Sequence, residues 1–191
     1  MTAPDEQRLL EDLRAGRSEA CAELVRGHYQ AVYRLLVHLT RDAHRAEDLT
    51  QETFAAAWRA IGGFQEKASL GTWLHRIAYT KFIDAQRARQ RDDEARDRLV
   101  RPQARSVDPF DAAAADDESR RLYEALASLE PPERALLVLH YLQDLSYAEM
   151  AVVLEEPVGT VKWRTHVALS RLRELLPDEM REHAIPERTE S

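Results

Sequence analysis

The chain has 191 residues, with 27 Lys and Arg against 34 Asp and Glu, a formal net charge of −7. That length suits one or two domains. The negative balance excludes a protein that coats nucleic acid through a general positive field, so any such contact must come from local patches. Hydrophobic residues at 44%, charged residues at 32% and only 6 glycines describe a helix-rich globular chain. The lone cysteine, Cys21, excludes an internal disulfide and suits a reducing compartment. No run approaches the ~20 apolar residues of a membrane span. The N-terminal stretch MTAPDEQRLLEDL has no apolar signal core. A cytoplasmic location without a membrane span is therefore expected.

Taken in order, residues 5–15 read as a short helix ending at Gly16, and Ser18 as the cap of a second helix running to Thr40. Leu24, Tyr29, Val32, Leu35, Leu36 and Leu39 give that helix an apolar side. Asp42 caps a third helix that ends at Gly62-Gly63, with Leu49, Phe54, Ala57, Trp58 and Ile61 on its apolar side. Asp48, Gln51 and Glu52 fall on a different, polar face. Residues 64–69 read as a loop, and a fourth helix starts near Leu70 and ends in Arg87, Arg89 and Arg91. Four such helices can close a small core. From 92 to 117 the apolar period dissolves among prolines, alanines and acids, which reads as a flexible linker.

A second helical unit, 118–176, follows, with 177–191 as a frayed tail. Leu122, Leu126 and Leu129 open it, and Pro131-Pro132 starts its next helix. Ser146 and Glu149 make a capping box for a short helix that Glu155 and Glu156 end. Glu155 stands where a tight turn favours glycine. Pro157 then opens a helix whose Val158, Val161, Thr165, Ala168, Leu172 and Leu176 line one face. Taking 100° per residue, Trp163 lies about 160° from Val161 of that stripe, nearly opposite it. A short helix, a tight turn and a helix carrying cations form the helix-turn-helix pattern. An ordinary helical hairpin with a solvated basic face is the plainer alternative.

Catalytic chemistry finds little support. The chain has no glycine-rich phosphate loop, no C-x-x-C pair, no H-E-x-x-H and no nucleophile motif. Its seven histidines are scattered, so neither a metal site nor a cofactor is expected. Two features stand out instead. One is the polar face at Asp48, Gln51 and Glu52, which would otherwise be simple solvated surface. The other is an aromatic and basic cluster of Phe64, Lys67, Trp73, His75, Arg76, Tyr79 and Lys81, followed by Arg87. Rings beside cations offer unpaired bases a stacking surface and neutralise the backbone. Trp73 and Phe82 are expected in the core, and Phe64 and Lys67, in the loop, are the better contact candidates.

These stretches resemble a known family. EDLTQETFAAAW (47–58) resembles the polymerase-binding segment of bacterial sigma factors. TWLHRIAYTKFIDAQRARQR (72–91) is similar to the segment that melts and reads the minus-10 element, and PVGTVKWR (157–164) to the minus-35 reader. Their order and the short linker resemble the extracytoplasmic-function (ECF) group of the sigma-70 family.

The resemblance implies an all-α chain of two small helical domains: sigma domain two over 1–91 and sigma domain four over 118–176. It implies a non-enzymatic subunit that binds core RNA polymerase and promoter DNA, with an anti-sigma factor as a further partner. Asp48, Gln51 and Glu52 would face polymerase. Phe64, Lys67, Arg76, Tyr79, Lys81 and Arg87 would serve the minus-10 element, and residues 64–69 would capture a flipped base. Gly159, Thr160, Lys162, Trp163, Arg164 and His166 would serve the minus-35 element. Tyr79-Thr80 stands where the family frequently has Arg-Asn, and Trp163 where it usually has a small polar residue; both bear on which promoter is read. A stand-alone helix-turn-helix regulator would explain 146–176 but not 47–58.

Overall fold

The computed structural model describes residues 3–96 and 117–181. These are all-α, with no strand among them. Helix α1 spans Ala3–Arg14, α2 Ser18–Thr40, α3 Ala43–Ala60 and α4 Leu70–Arg96. After residue 116 come α5 (Asp117–Ser128), α6 (Pro131–Leu137), α7 (Tyr147–Leu154), α8 (Val158–Leu175) and the short α9 (Asp178–Arg181). The expected linker overlaps α4 at 92–96, and its remainder to 116 lies outside the described residues.

The caps show why the chain bends where it does. Gly16 turns α1 into α2 with φ at 73°, a value that costs glycine little. The N-cap of α2 is Arg17, without a side-chain cap, and Ser18 lies one position inside the helix. Its hydroxyl is 3.2 Å from the Glu19 carboxylate instead of a backbone N–H, which corrects the expected serine cap. Asp42 does cap α3, accepting from the Arg45 N–H at 3.2 Å. The helix stops at Ala60 and tightens into a single 3-10 turn over Ile61–Gly63.

Helix α1 straps the following loop in place. The Glu6 carboxylate accepts from the Leu70 N–H at 2.7 Å, satisfying one of the unpaired donors at the start of α4. Arg14 donates to the Phe64 carbonyl at 2.9 Å and pairs with Glu66 at 2.8 Å.

In the second group, Pro131 opens α6 with Glu130 as N-cap. That helix widens into a π segment over Val138–Leu142, a form the sequence pattern does not announce. The capping box of α7 is complete: Glu149 N–H donates to the Ser146 hydroxyl at 3.3 Å, and Ser146 N–H to the Glu149 carboxylate at 2.9 Å. Pro157 is the N-cap of α8 and not its first helical residue, and Thr160 N–H returns to its carbonyl at 2.9 Å. The expected tail is partly structured, because Met180 of α9 is buried. Residues 182–191 are outside the description.

Leu35, Leu36, Leu74, Ala78 and Phe82 centre the first group, and Leu136, Leu139, Met150, Val161 and Ala168 the second. Thr50 and Thr53 are buried inside the first core, their hydroxyls donating to the Ala46 and Leu49 carbonyls at 2.6 and 2.7 Å. The two groups pack against each other, α7 on α4 and α6 on α2. Arg134 joins them. It is only 5% exposed, and its guanidinium donates to the carbonyls of His38, Leu39, Ala127 and Leu129 at 2.8–3.2 Å. The His38 ring stacks on Tyr123 beside it, with centroids 5.4 Å apart. No helix among the described residues is long and apolar enough to cross a membrane.

Candidate nucleic-acid interface

Helix α3 presents Asp48, Gln51 and Glu52 to solvent, because Leu49, Thr50, Thr53 and Ala57 take the inner face. Glu52 reaches across to Lys81 of α4 at 3.4 Å, so one residue expected to face polymerase meets one expected to face DNA.

The loop and α4 bury two residues of the expected aromatic and basic contact cluster, Phe64 and His75. Phe64 is 7% exposed and packs on Trp73, with ring centroids 4.9 Å apart. The Phe64–Trp73 contact and the Arg14 bond to its carbonyl turn the side chain inward. In this arrangement Phe64 belongs to the core, which corrects its expected place as an exposed contact. Lys67 remains exposed in the loop, and Arg87 on α4 is exposed as well.

The first half of α4 is covered by α7. Arg76 forms an ion pair with Glu155, and the Thr72 hydroxyl donates to the Glu149 carboxylate at 3.3 Å. Tyr79 is half-buried, and burial raises its phenol pKa, with Arg164 and Arg87 opposing and Glu156 adding to the rise. His75 sits deeper, at 5% exposure. Burial pushes its pKa down to about 4; the Gln143 side chain opposes the fall, and His28 reinforces it. Neither ring nitrogen of His75 meets the geometry of a full hydrogen bond, and the buried Gln143 amide nitrogen likewise has no such partner. Burial works to raise the Glu149 pKa, but the Ser146 hydroxyl and N–H, the Thr72 hydroxyl and the charge of His75 hold it below the usual carboxylate value.

Helix α8 shows an open face. Val161, Thr165, Ala168 and Leu172 are buried, as their spacing requires. Val158 is not: it is 47% exposed at the first position of the helix, ahead of the point where the stripe meets α6 and α7. Gly159, Thr160, Lys162, Trp163 and His166 all stand at the surface. Trp163, at 67% exposure, is the most open of the large apolar side chains among the described residues. Lys162 lies over the Tyr147 ring, 5.6 Å from its centroid, which orients its amine. Arg164 turns the other way, half-buried, and pairs with Glu156.

The described residues thus combine a polar, solvent-facing side of α3, cations along α4 and a helix-turn-helix with an open face. The sigma-70 region 2 model matches residues 24–92, and the sigma-70 region 4 model residues 119–172. The chain belongs to the ECF RNA polymerase sigma factors. It is 37% identical to the ECF sigma factor SigE of Mycolicibacterium smegmatis over 164 residues, 81% of this chain, and spans 60% of SigE. It is 30% identical to SigW of Bacillus subtilis over 178 residues, covering 88% of this chain and 95% of SigW. Two solved structures share the fold. One is the sigma factor RpoE in complex with the anti-sigma factor NepR from Bartonella quintana: 25% identity, TM-score 0.64, 90% of this chain and 94% of that one. The other is CnrH in complex with the cytosolic domain of CnrY: 26% identity, TM-score 0.65, 89% and 96%.

Residues that no sequence pattern singled out also build this region. Glu6 and Arg14 fix the loop, and Arg134 joins the two helical groups. Their partners lie as much as 96 residues away, so no local period marks them.

Proposed function

We propose that the chain binds core RNA polymerase and directs it to promoters by reading minus-10 and minus-35 elements, without catalysing a reaction of its own, in the cytoplasm. The observation that carries this reading is the pairing, on one chain, of a solvent-facing Asp48–Gln51–Glu52 surface on α3 with the open face of α8. A stand-alone regulator needs only the second.

The division of labour follows the two units, 1–91 and 118–176. Asp48, Gln51 and Glu52 meet polymerase. Lys67, Arg76, Tyr79, Lys81 and Arg87 meet the minus-10 strand, where rings and cations suit unpaired bases. Phe64 joins them only by leaving its packing on Trp73. Gly159, Thr160, Lys162, Trp163 and His166 face the minus-35 major groove, the first half of a recognition helix being the part that enters it, and Arg164 joins them only by leaving its pair with Glu156. The similarity to sigma factors solved with NepR and CnrY supports an anti-sigma protein as a regulatory partner.

Co-purification tests the polymerase surface. Charge reversal at Asp48 and Glu52 is expected to abolish recovery with core polymerase while stability changes by less than ~0.5 kcal/mol, as befits exposed positions. Wild-type recovery of both variants would refute the assignment.

A further inference from the structure

We propose that Arg14 is a positioning residue for the minus-10 element: from the end of α1 it sets the shape of the loop over 64–69, and that shape gives the loop its preference for one unpaired base. The inference rests on the minus-10 reading above and extends it to a helix that carries none of the residues assigned to DNA.

The first observation is where Arg14 stands. Leu9, Leu10 and Leu13 are buried, so α1 is seated on the core up to the residue before it. The side chain then reaches 50 and 52 residues along the chain. One nitrogen, Nη2, donates to the Phe64 carbonyl at 2.9 Å and to the Glu66 carboxylate at 2.8 Å. That nitrogen has two hydrogens, one for each oxygen. The second observation is the backbone that these bonds hold. Glu66 has φ at 57°, in the left-handed region that disfavours a residue with a Cβ. Third, the far end of the loop is tied as well. Glu6 accepts from the Leu70 N–H at 2.7 Å, and the Ser69 hydroxyl accepts from the Thr72 N–H at 3.1 Å.

The tie from Arg14 does little for stability. The Arg14 and Glu66 side chains are 37% and 45% exposed, and exposed ion pairs are weak. Its effect is on freedom. A loop held in one shape before it meets a ligand loses less binding energy to ordering, and it favours the ligand that fits that shape. With the Phe64 ring turned in against Trp73, the loop and the turn before it present Gly62, Gly63, Gln65, Glu66 and Lys67 to solvent. Beyond the local turn, no described atom lies within 4 Å of a Cβ added at Gly62 or Gly63, so a flat base can approach the main chain there. Lys67 supplies a cation for an adjoining phosphate. Arg14 meanwhile neutralises the Glu66 carboxylate, which would otherwise repel that phosphate.

The test uses the full chain with core polymerase and promoter templates that carry each of the four bases in turn at every minus-10 position. The readout is the ratio of open-complex formation between the best and the worst base at each position. Arg14→Met should lower that ratio about tenfold at one position. Its melting temperature, recovery with core polymerase and minus-35 preference should stay at the wild-type values. Arg14→Lys should restore most of the ratio, because one ammonium has three hydrogens and can serve both oxygens. Glu6→Ala, which releases the far end of the loop, should lower the ratio at the same position. An equal loss for all four bases would overturn the inference, because it would make Arg14 a plain phosphate contact. So would an unchanged ratio in Arg14→Met, or an Arg14→Lys variant that does no better than methionine. A loss of the ratio accompanied by a loss of recovery with core would also overturn it, in favour of general support of the fold. A wild type that shows no base preference at any minus-10 position would instead overturn the promoter reading itself.

Discussion

Helices α4 and α8 carry the two sets of candidate DNA-reading residues, and they meet their surroundings differently. Helix α8 buries one stripe and leaves the opposite side open, with Trp163 and Lys162 at the surface. Helix α4 is approached from several sides: α2 and α3 at its back, the Phe64 ring at Trp73, and α7 over Thr72, His75 and Arg76. A helix with one buried stripe declares its functional face in its sequence. A helix wrapped on several sides does not, because each face has an apolar or paired neighbour that lies far away in the chain.

The covered side breaks most severely at Arg134. Replacing it with Met leaves the carbonyls of His38, Leu39, Ala127 and Leu129 without the donor that satisfies them. Unpaired buried polar groups are expensive, so Arg134→Met should cost about 3 kcal/mol or more in denaturant unfolding. A loss below ~1 kcal/mol would mean that the contact between the helical groups does not depend on it.

Acid should loosen the same side. The His75 pKa is about 4 in the folded chain against an ordinary 6.5, so between those values the unfolded chain binds more protons. The stability from keeping His75 neutral is fully present above pH 6.5 and is lost as the pH falls from 6.5 toward 4. Glu149, held below its usual value, pulls in the same direction at the lower end of that window. The gap at His75 corresponds to at most about 3 kcal/mol. Thermal melts should therefore show Tm falling from pH 7 to pH 4.5, with a flatter profile for His75→Gln. Identical profiles for the two proteins would place the acid sensitivity elsewhere.

The open side should respond in specificity and not in stability. Trp163 touches no core, so Trp163→Ser should change unfolding by less than ~0.5 kcal/mol. It should shift the minus-35 preference by ~1–3 kcal/mol at one base position, as expected for the loss of one contact to a thymine methyl. Selection from randomised minus-35 sequences measures this, and the same consensus for both proteins would refute it.

The contrast also explains what could be read from the chain. Asp42, the Ser146–Glu149 capping box and Pro131 act within four residues of themselves, and each does what its position implies. The open face of α8 follows from a period of 3.6 alone. Val158 departs from it because the first residue of a helix projects beyond the elements that cover the rest. Phe64 reads as a loop residue, and only Trp73 and Arg14 turn it inward. Arg134, His75 and Glu155 act through contacts between the two helical groups, which no window of the sequence contains. Glu155 is the one of these that left a trace: a non-glycine residue where the turn favours glycine.

Run-off transcription with purified core polymerase tests the central claim most directly. Templates would carry promoter elements randomised at the minus-10 and minus-35 positions. The account predicts discrete transcripts only when the chain is present, from templates enriched for sequence at both elements. Transcription indifferent to the chain, together with tight duplex binding by the chain alone at physiological salt, would contradict it and favour a regulator that acts without polymerase.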